Sequence, residues 1–226
     1  MLQPNYDQFD AQYRSLRKDG FHGWGGANFE RRMRDWEMTL DSFMRAESFP
    51  KKGSKILELG SGAGDGLIAL AEKGYQVTGI EISSTAVEWA QEKLLLKQLA
   101  SKVVHGNIAK PLPFADASFD AVLDANCLHC LTGTDRANAL NEVQRVLRRD
   151  GFLLVSHMVN DPRELPVDVI FDPELRVQKR GSVLYRSMPT YGRLVEEVGA
   201  TGFDAIKQSL HRNPWWDHAE LWCIKR

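Results

Sequence analysis

The sequence predicts an open, doubly wound α/β sheet, seven strands and mostly parallel, with a helical cap before it and a lid inserted after the fifth strand. Three observations predict this. From residue 55 onward, short apolar runs alternate with stretches of helical period, the pattern of strand–helix units. The first run, Lys55-Ile-Leu-Glu-Leu, ends directly in glycines at every second position, Gly60, Gly62, Gly64 and Gly66, before a helical stretch begins. A second run, 75–81, ends in an acid, Glu81, about twenty residues beyond the glycine turn.

Residues 6–20 carry Tyr6, Phe9, Tyr13 and Leu16 at spacings of three or four, which predicts a short amphipathic helix. Gly20, Gly23, Gly25 and Gly26 break it, and Phe21, His22 and Trp24 lie among them. A second helix over 27–49 puts Phe29, Met33, Trp36, Leu40, Phe43 and Met44 on one face, read as core packing. Aromatic residues on a glycine-flanked loop have no such role, so residues 1–50 are expected to form a cap over the site. Residues 51–226 form the main domain. Within it, Ser83 or Ser84 caps a helix over 85–99, and strands follow at 102–106 and 119–124. A helix over 135–149 ends with Gly151 at its C-cap, before a buried strand at 152–158. Asp161-Pro, Leu165-Pro and Asp172-Pro make 159–187 irregular, and 159–189 is expected as the lid. The last helix, 190–199, precedes strands at 202–210 and 219–225, an antiparallel hairpin at the sheet edge. Trp215 and Trp216 in their connection read equally as edge packing or as a contact surface.

The chemistry starts at the glycine turn. A backbone without side chains comes close to a ligand there, and the helix beyond it offers unpaired N–H groups and partial positive charge. The spacing Glu58-x-Gly60-x-Gly62-x-Gly64 is neither the G-x-G-x-x-G of dinucleotide sites nor a P-loop. Glu81, at a strand end, offers two oxygens to the two adjacent hydroxyls of a ribose. This set resembles motif I and its companion acid in the class I S-adenosylmethionine-dependent methyltransferases, a Rossmann-like family. The resemblance continues through Asn107-Ile108, Pro111-Leu-Pro-Phe114, Ser118-Phe-Asp120, Asp124 to Leu131, and Arg145 to Gly151, and so covers about 55–158.

It implies S-adenosylmethionine as cofactor and S-adenosylhomocysteine as product. Glu58, Gly60, Ser61, Gly62 and Gly64 would lie against the methionyl part, Glu81 and Ile82 at the ribose, Asn107 and Ile108 at adenine, and Asp124, Ala125 and Asn126 would also bind the cofactor, facing the reaction beyond the strand end. Asn107 stands where many relatives carry aspartate, Arg149-Asp150 replaces Lys-Pro, and the Asn-Pro-Pro-Tyr of many nucleobase methylases is absent. The implied activity is methyl transfer to a small molecule through an oxygen, nitrogen or sulfur atom. A protein or RNA methyltransferase, or a binding module without catalysis, shares the same cofactor half.

For the acceptor side, His129 follows the strand at 119–124, and a neutral imidazole there could take a proton. The resemblance makes the same position a wall residue. His22 is the second catalytic candidate, and His157 the third side chain to mutate. Trp24, Tyr185, Arg186 and Tyr191 are candidate substrate contacts, and the basic residues over 176–186 read as an anion site or a solvated face. A net charge of −1 over 226 residues advertises neither a nucleic-acid nor a membrane partner. The single Cys127-x-x-Cys130 pair lacks a second ligand pair, so no metal is expected and the thiols are read as reduced. With no leader and no apolar run of ~18 residues, the expectation is a cytoplasmic monomer or homodimer.

Overall fold

The computed structural model describes residues 3–226. Its main sheet has seven strands in the order β10-β11-β6-β5-β2-β3-β4. These are β2 (Lys55–Leu59), β3 (Gln76–Glu81), β4 (Lys102–His105), β5 (Phe119–Ala125), β6 (Leu147–Val159), β10 (Phe203–Arg212) and β11 (Asp217–Lys225). The five from β4 to β6 are parallel, and β11 runs antiparallel between β6 and β10. Chain order reverses between β2 and β5, so the carboxyl ends of these two strands open a crevice.

Alternation along each strand divides the core into two layers. Leu57, Leu59, Val122, Leu153 and Val155 face α5 (Gly133–Val146) and α6 (Tyr191–Ala200) through Leu140, Val143, Leu194 and Val198. Ile56, Ala121, Leu123, Phe152 and Leu154 face the other way. They meet α2 (Phe29–Met44), α3 (Asp65–Glu72) and α4 (Ser84–Leu96) through Leu40, Phe43, Leu67, Leu70 and Ala90. Phe43 meets Trp222 edge-on at 4.9 Å, which fixes α2 beneath the sheet.

The other N-terminal helix, α1 (Asp7–Lys18), crosses the carboxyl end of the sheet. Asp10 accepts from Ser83 Oγ at 2.7 Å and Thr85 N at 2.9 Å, at the start of α4. Tyr6 donates to Asp135 in the first turn of α5 at 2.7 Å. Ser83 caps α4, its Oγ accepting from Ala86 N.

Two expectations need correction. Residues 159–187 are not irregular. They form β7 (Val169–Asp172), β8 (Val177–Arg180) and β9 (Val183–Ser187), antiparallel neighbours in a second sheet whose far edge is β1 (Gln3–Pro4), parallel to β9. Strands of four or five residues are too short to display a period, and one partner comes from the opposite end of the chain. Gly151 is not a helix cap. α5 ends at Val146 and β6 begins at Leu147, while Lys225 Nζ donates to the free carbonyls of Gln144 and Leu147 at 2.6 and 2.7 Å. Among the described residues no helix is long and apolar enough to cross a membrane.

Candidate active site

A cavity of about 680 Å³ lies at the crevice, within the range of small-ligand sites. The turn after β2 forms one wall. Gly62 has φ of +55°, and a Cβ there would stand 2.2 Å from the Tyr13 hydroxyl. Its N–H donates to Glu81 Oε2 at 2.9 Å, and Ser83 N donates to Oε1 at 2.8 Å. Glu81 is thereby tied to the turn that follows Glu58. At Gly66 a Cβ would stand 2.3 Å from Glu58 Oε1 and 3.0 Å from Trp36 Nε1, so a bare position keeps both groups in place.

Glu58 is the unusual member. It is 4% exposed and its Oε2 has no hydrogen-bond partner. Burial first, and then the charge of Asp65, push its pKa up to about 8. Trp36 Nε1 and Ser61 Oγ are likewise buried without partners. Three orphaned polar atoms around one bare backbone turn fit a ligand that brings its own cation, acceptors and donors. Asp65 is not among the orphans, because Lys93 holds it at 2.5 Å.

Gly60, Ser61, Gly62, Glu81, Ile82, Asn107, Ile108, Ala125 and Asn126 line the cavity with Glu58. Asn107 Oδ1 accepts from Ala109 N at 2.8 Å, and its second lone pair is left for a ligand donor. Two predicted cofactor residues stand back. Gly64 shapes the turn, with φ of +79° and packing toward Ala90, without lining the cavity. Asp124 is fully buried beneath it, its Oδ1 accepting from Cys127 N and Leu128 N at 2.7 and 2.8 Å. Burial pushes its pKa up to about 6. Its Oδ1 sets the shape of the 126–131 loop, while its Oδ2 is buried without a partner.

On the acceptor side the structure brings Trp24, His129 and Arg186 to the cavity. His129 is buried with Nδ1 unpartnered, and burial, then Arg186, hold its pKa well below 6.5, so the ring is neutral. His22 is exposed, stacks near Phe29 at 6.0 Å and lies outside the lining. His157 is also outside. Its Nδ1 donates to the Met158 carbonyl at 2.6 Å and its Nε2 accepts from Arg136 Nη1 at 2.7 Å. Tyr185 and Tyr191 do not reach the cavity either. Tyr185 lies under the guanidinium groups of Arg180 and Arg186, and Tyr191 donates to Gln208 at 2.9 Å.

Sequence reasoning missed several lining residues: Arg32 on α2, and Asn213 and His218 beside Trp215 and Trp216. Trp36 packs against the core as expected and also faces the cavity. A cue existed for the tryptophan pair. In a strand antiparallel to its neighbours, the segment before its first residue falls at the carboxyl end of the parallel strands, where ligands bind.

Comparison with known proteins agrees with this geometry. The family described as "Methyltransferase domain" matches residues 57–155. Over 75% of the chain there is 31% identity to 27-O-demethylrifamycin SV methyltransferase of Amycolatopsis mediterranei (strain S699), and the match spans 62% of that protein. The chain thus covers less than two thirds of the length of this relative. Among solved structures, the PH0226 protein of Pyrococcus horikoshii OT3 superposes with a TM-score of 0.71 at 19% identity, over 89% of this chain and 93% of that one. The 1,6-didemethyltoxoflavin-N1-methyltransferase of Burkholderia thailandensis, solved with bound 1,6-didemethyltoxoflavin and S-adenosylhomocysteine, gives a TM-score of 0.65 at 20% identity, over 96% of this chain and 90% of that one.

Proposed function

Because the chain belongs to the class I S-adenosylmethionine-dependent methyltransferases, we propose that it transfers a methyl group from that cofactor to a small organic acceptor. The observation that carries this is the buried Glu58 carboxyl beside the glycine turn, its Oε2 without a partner, in one cavity with Glu81 and an aromatic basin. When bound, S-adenosylmethionine supplies an electrophilic methyl group on a sulfonium that departs as a neutral thioether.

The chain's own residues have holding roles. Glu58 pairs with the α-ammonium group, and Arg32 with Trp36 Nε1 receives the carboxylate. Glu81 keeps one lone pair on each oxygen for the ribose hydroxyls. Asn107 meets the adenine edge, and Ile82 and Ile108 pack on the flat rings. Trp24, Met158, Trp215 and Trp216 close the other half of the cavity, where an acceptor is held in line and water is excluded. Cap, lid and hairpin all contribute walls, which favours an enclosed small molecule over a polymer end.

The test is calorimetric titration with S-adenosylmethionine and S-adenosylhomocysteine, then incubation of methyl-labelled cofactor with a metabolite extract. Saturable binding and a labelled small product are expected. Absence of binding by both compounds would overturn the assignment.

A further inference from the structure

We propose that the acceptor is a planar aromatic compound reacting through an anionic oxygen, and that Arg186 of β9 selects it. This rests on the methyltransferase reading and narrows its substrate. Arg186 lines the cavity, yet among the described residues it forms no ion pair. Its guanidinium lies 4.5 Å from the Tyr185 ring centroid, and its polar contact is a 3.7 Å approach of Nη1 to Met158 Sδ. Its neighbours differ. Arg136, Arg163, Arg176 and Arg180 each hold a carboxylate and serve the fold.

Arg186 is half-buried at the cavity wall with no counterion, which leaves its guanidinium for a ligand that brings the charge. Its position identifies which ligand. Arg186 acts electrostatically on His129 and Cys130, the turn that follows β5. The second unpaired arginine of the cavity, Arg32, sits on the cap helix that also carries Trp36, beside Glu58. One guanidinium therefore remains for the cofactor carboxylate and one for the acceptor. An ammonium acceptor would be repelled by both.

The shape of the acceptor follows from the walls. Trp24, Trp215 and Trp216 all line the cavity, and the Trp215 and Trp216 rings lie 5.9 Å apart at 38°. Such faces favour a flat ring system. The reaction is then an O-methylation. The acceptor ionises in water and leaves its proton there, and Arg186 binds the oxyanion. A new O–CH3 bond forms as the C–S bond breaks, with the bonding electron pair staying on sulfur. Anion and sulfonium become two neutral products, a change that a dry cavity favours.

The test uses the full chain saturated with S-adenosylhomocysteine, titrated calorimetrically with naphthoate, naphthamide and naphthylmethylamine, and with nitrophenolate against nitrobenzene. The anion of a matched set should bind about tenfold or more tightly than its neutral counterpart, on the scale of a charge-assisted contact. The naphthoate and nitrophenolate arms separate carboxylate from phenolate acceptors. Arg186→Gln should erase the preference and Arg186→Lys should keep part of it, with cofactor-product affinity retained in both. The inference is overturned by equal affinities, by preference for the amine, by no saturable anion binding, or by Arg186→Gln abolishing S-adenosylhomocysteine binding. If S-adenosylhomocysteine itself fails to bind the unaltered chain, the methyltransferase reading fails instead.

Discussion

Glu58→Gln separates two effects of opposite sign. In the free protein the carboxyl is buried, and its pKa is raised from 4.5 to about 8. At pH 7 it is mostly protonated. Between about 4.5 and 8 the folded chain keeps a proton that the unfolded chain has released, so stability falls as pH rises through that window. At about 1.4 kcal/mol per pH unit, the displacement sets an upper limit on the order of 5 kcal/mol. Glutamine has the same shape and no charge to bury. The variant without cofactor should therefore melt higher than the unaltered protein at pH 8, and the pH dependence of melting between about 5 and 8 should flatten. Cofactor binding should move the other way. Losing a charge-assisted hydrogen bond to the α-ammonium costs about 2–3 kcal/mol, or roughly 30- to 150-fold in Kd. A third readout is linked to both. At pH 7 the arriving cation should expel about one proton per site from Glu58, measured calorimetrically in buffers of different ionisation enthalpy. The same titration of Glu58→Gln should release none. Unchanged affinity in the variant, together with no proton release in the parent, would show that Glu58 does not face the cofactor's amine.

Other substitutions examine the remaining walls. Gly62→Ala forces a side chain onto a positive φ and into the Tyr13 hydroxyl, at a cost of about 1–3 kcal/mol. Melting should drop by several degrees and recover in part when Tyr13→Phe is added; unaltered melting of the single variant would refute the strained-turn argument. His129→Asn, assayed on the acceptor once found, should slow turnover by less than about tenfold without moving the pH profile, because the neutral buried ring is a poor proton store. A loss of about 10² or more with a displaced profile would make His129 the general base. Trp216→Ala should weaken acceptor binding by about tenfold while S-adenosylhomocysteine still binds, both read by calorimetry; an equal loss for both ligands would place this ring on the cofactor instead.

What the sequence could announce, and what it could not, follows from the range of the interactions involved. The strand order through Phe119–Ala125 and the glycine turn are local facts: apolar runs, a bare bend and an acid at a strand end are written in contiguous residues. Glu58 and Glu81 were legible for that reason, and one residue of the turn, Gly62, ties itself to the second acid by its own N–H. Asp124 stands behind the cavity wall, although the sequence shows an acid at a strand end in both places. Only the loop path reveals that two backbone N–H groups share one oxygen of Asp124, behind the wall, whereas Glu81 takes one on each oxygen and lines the cavity. His22 and His157 mislead similarly. A histidine shows its chemistry in one letter, but whether it is exposed, like His22, or clasped by Arg136, like His157, depends on residues far along the chain. The acceptor half is the extreme case. His129, Arg186 and Trp216 come from a loop after β5, the small sheet and a hairpin, so no window of sequence contains them together. Arg186 stands out only after its neighbours' partners are known, since the four basic residues from Arg176 to Arg186 look alike until Arg176, Lys179 and Arg180 are each seen holding a carboxylate. The cofactor half is thus specified by short-range backbone requirements. Specificity toward the acceptor is specified by which charge the fold leaves without a partner.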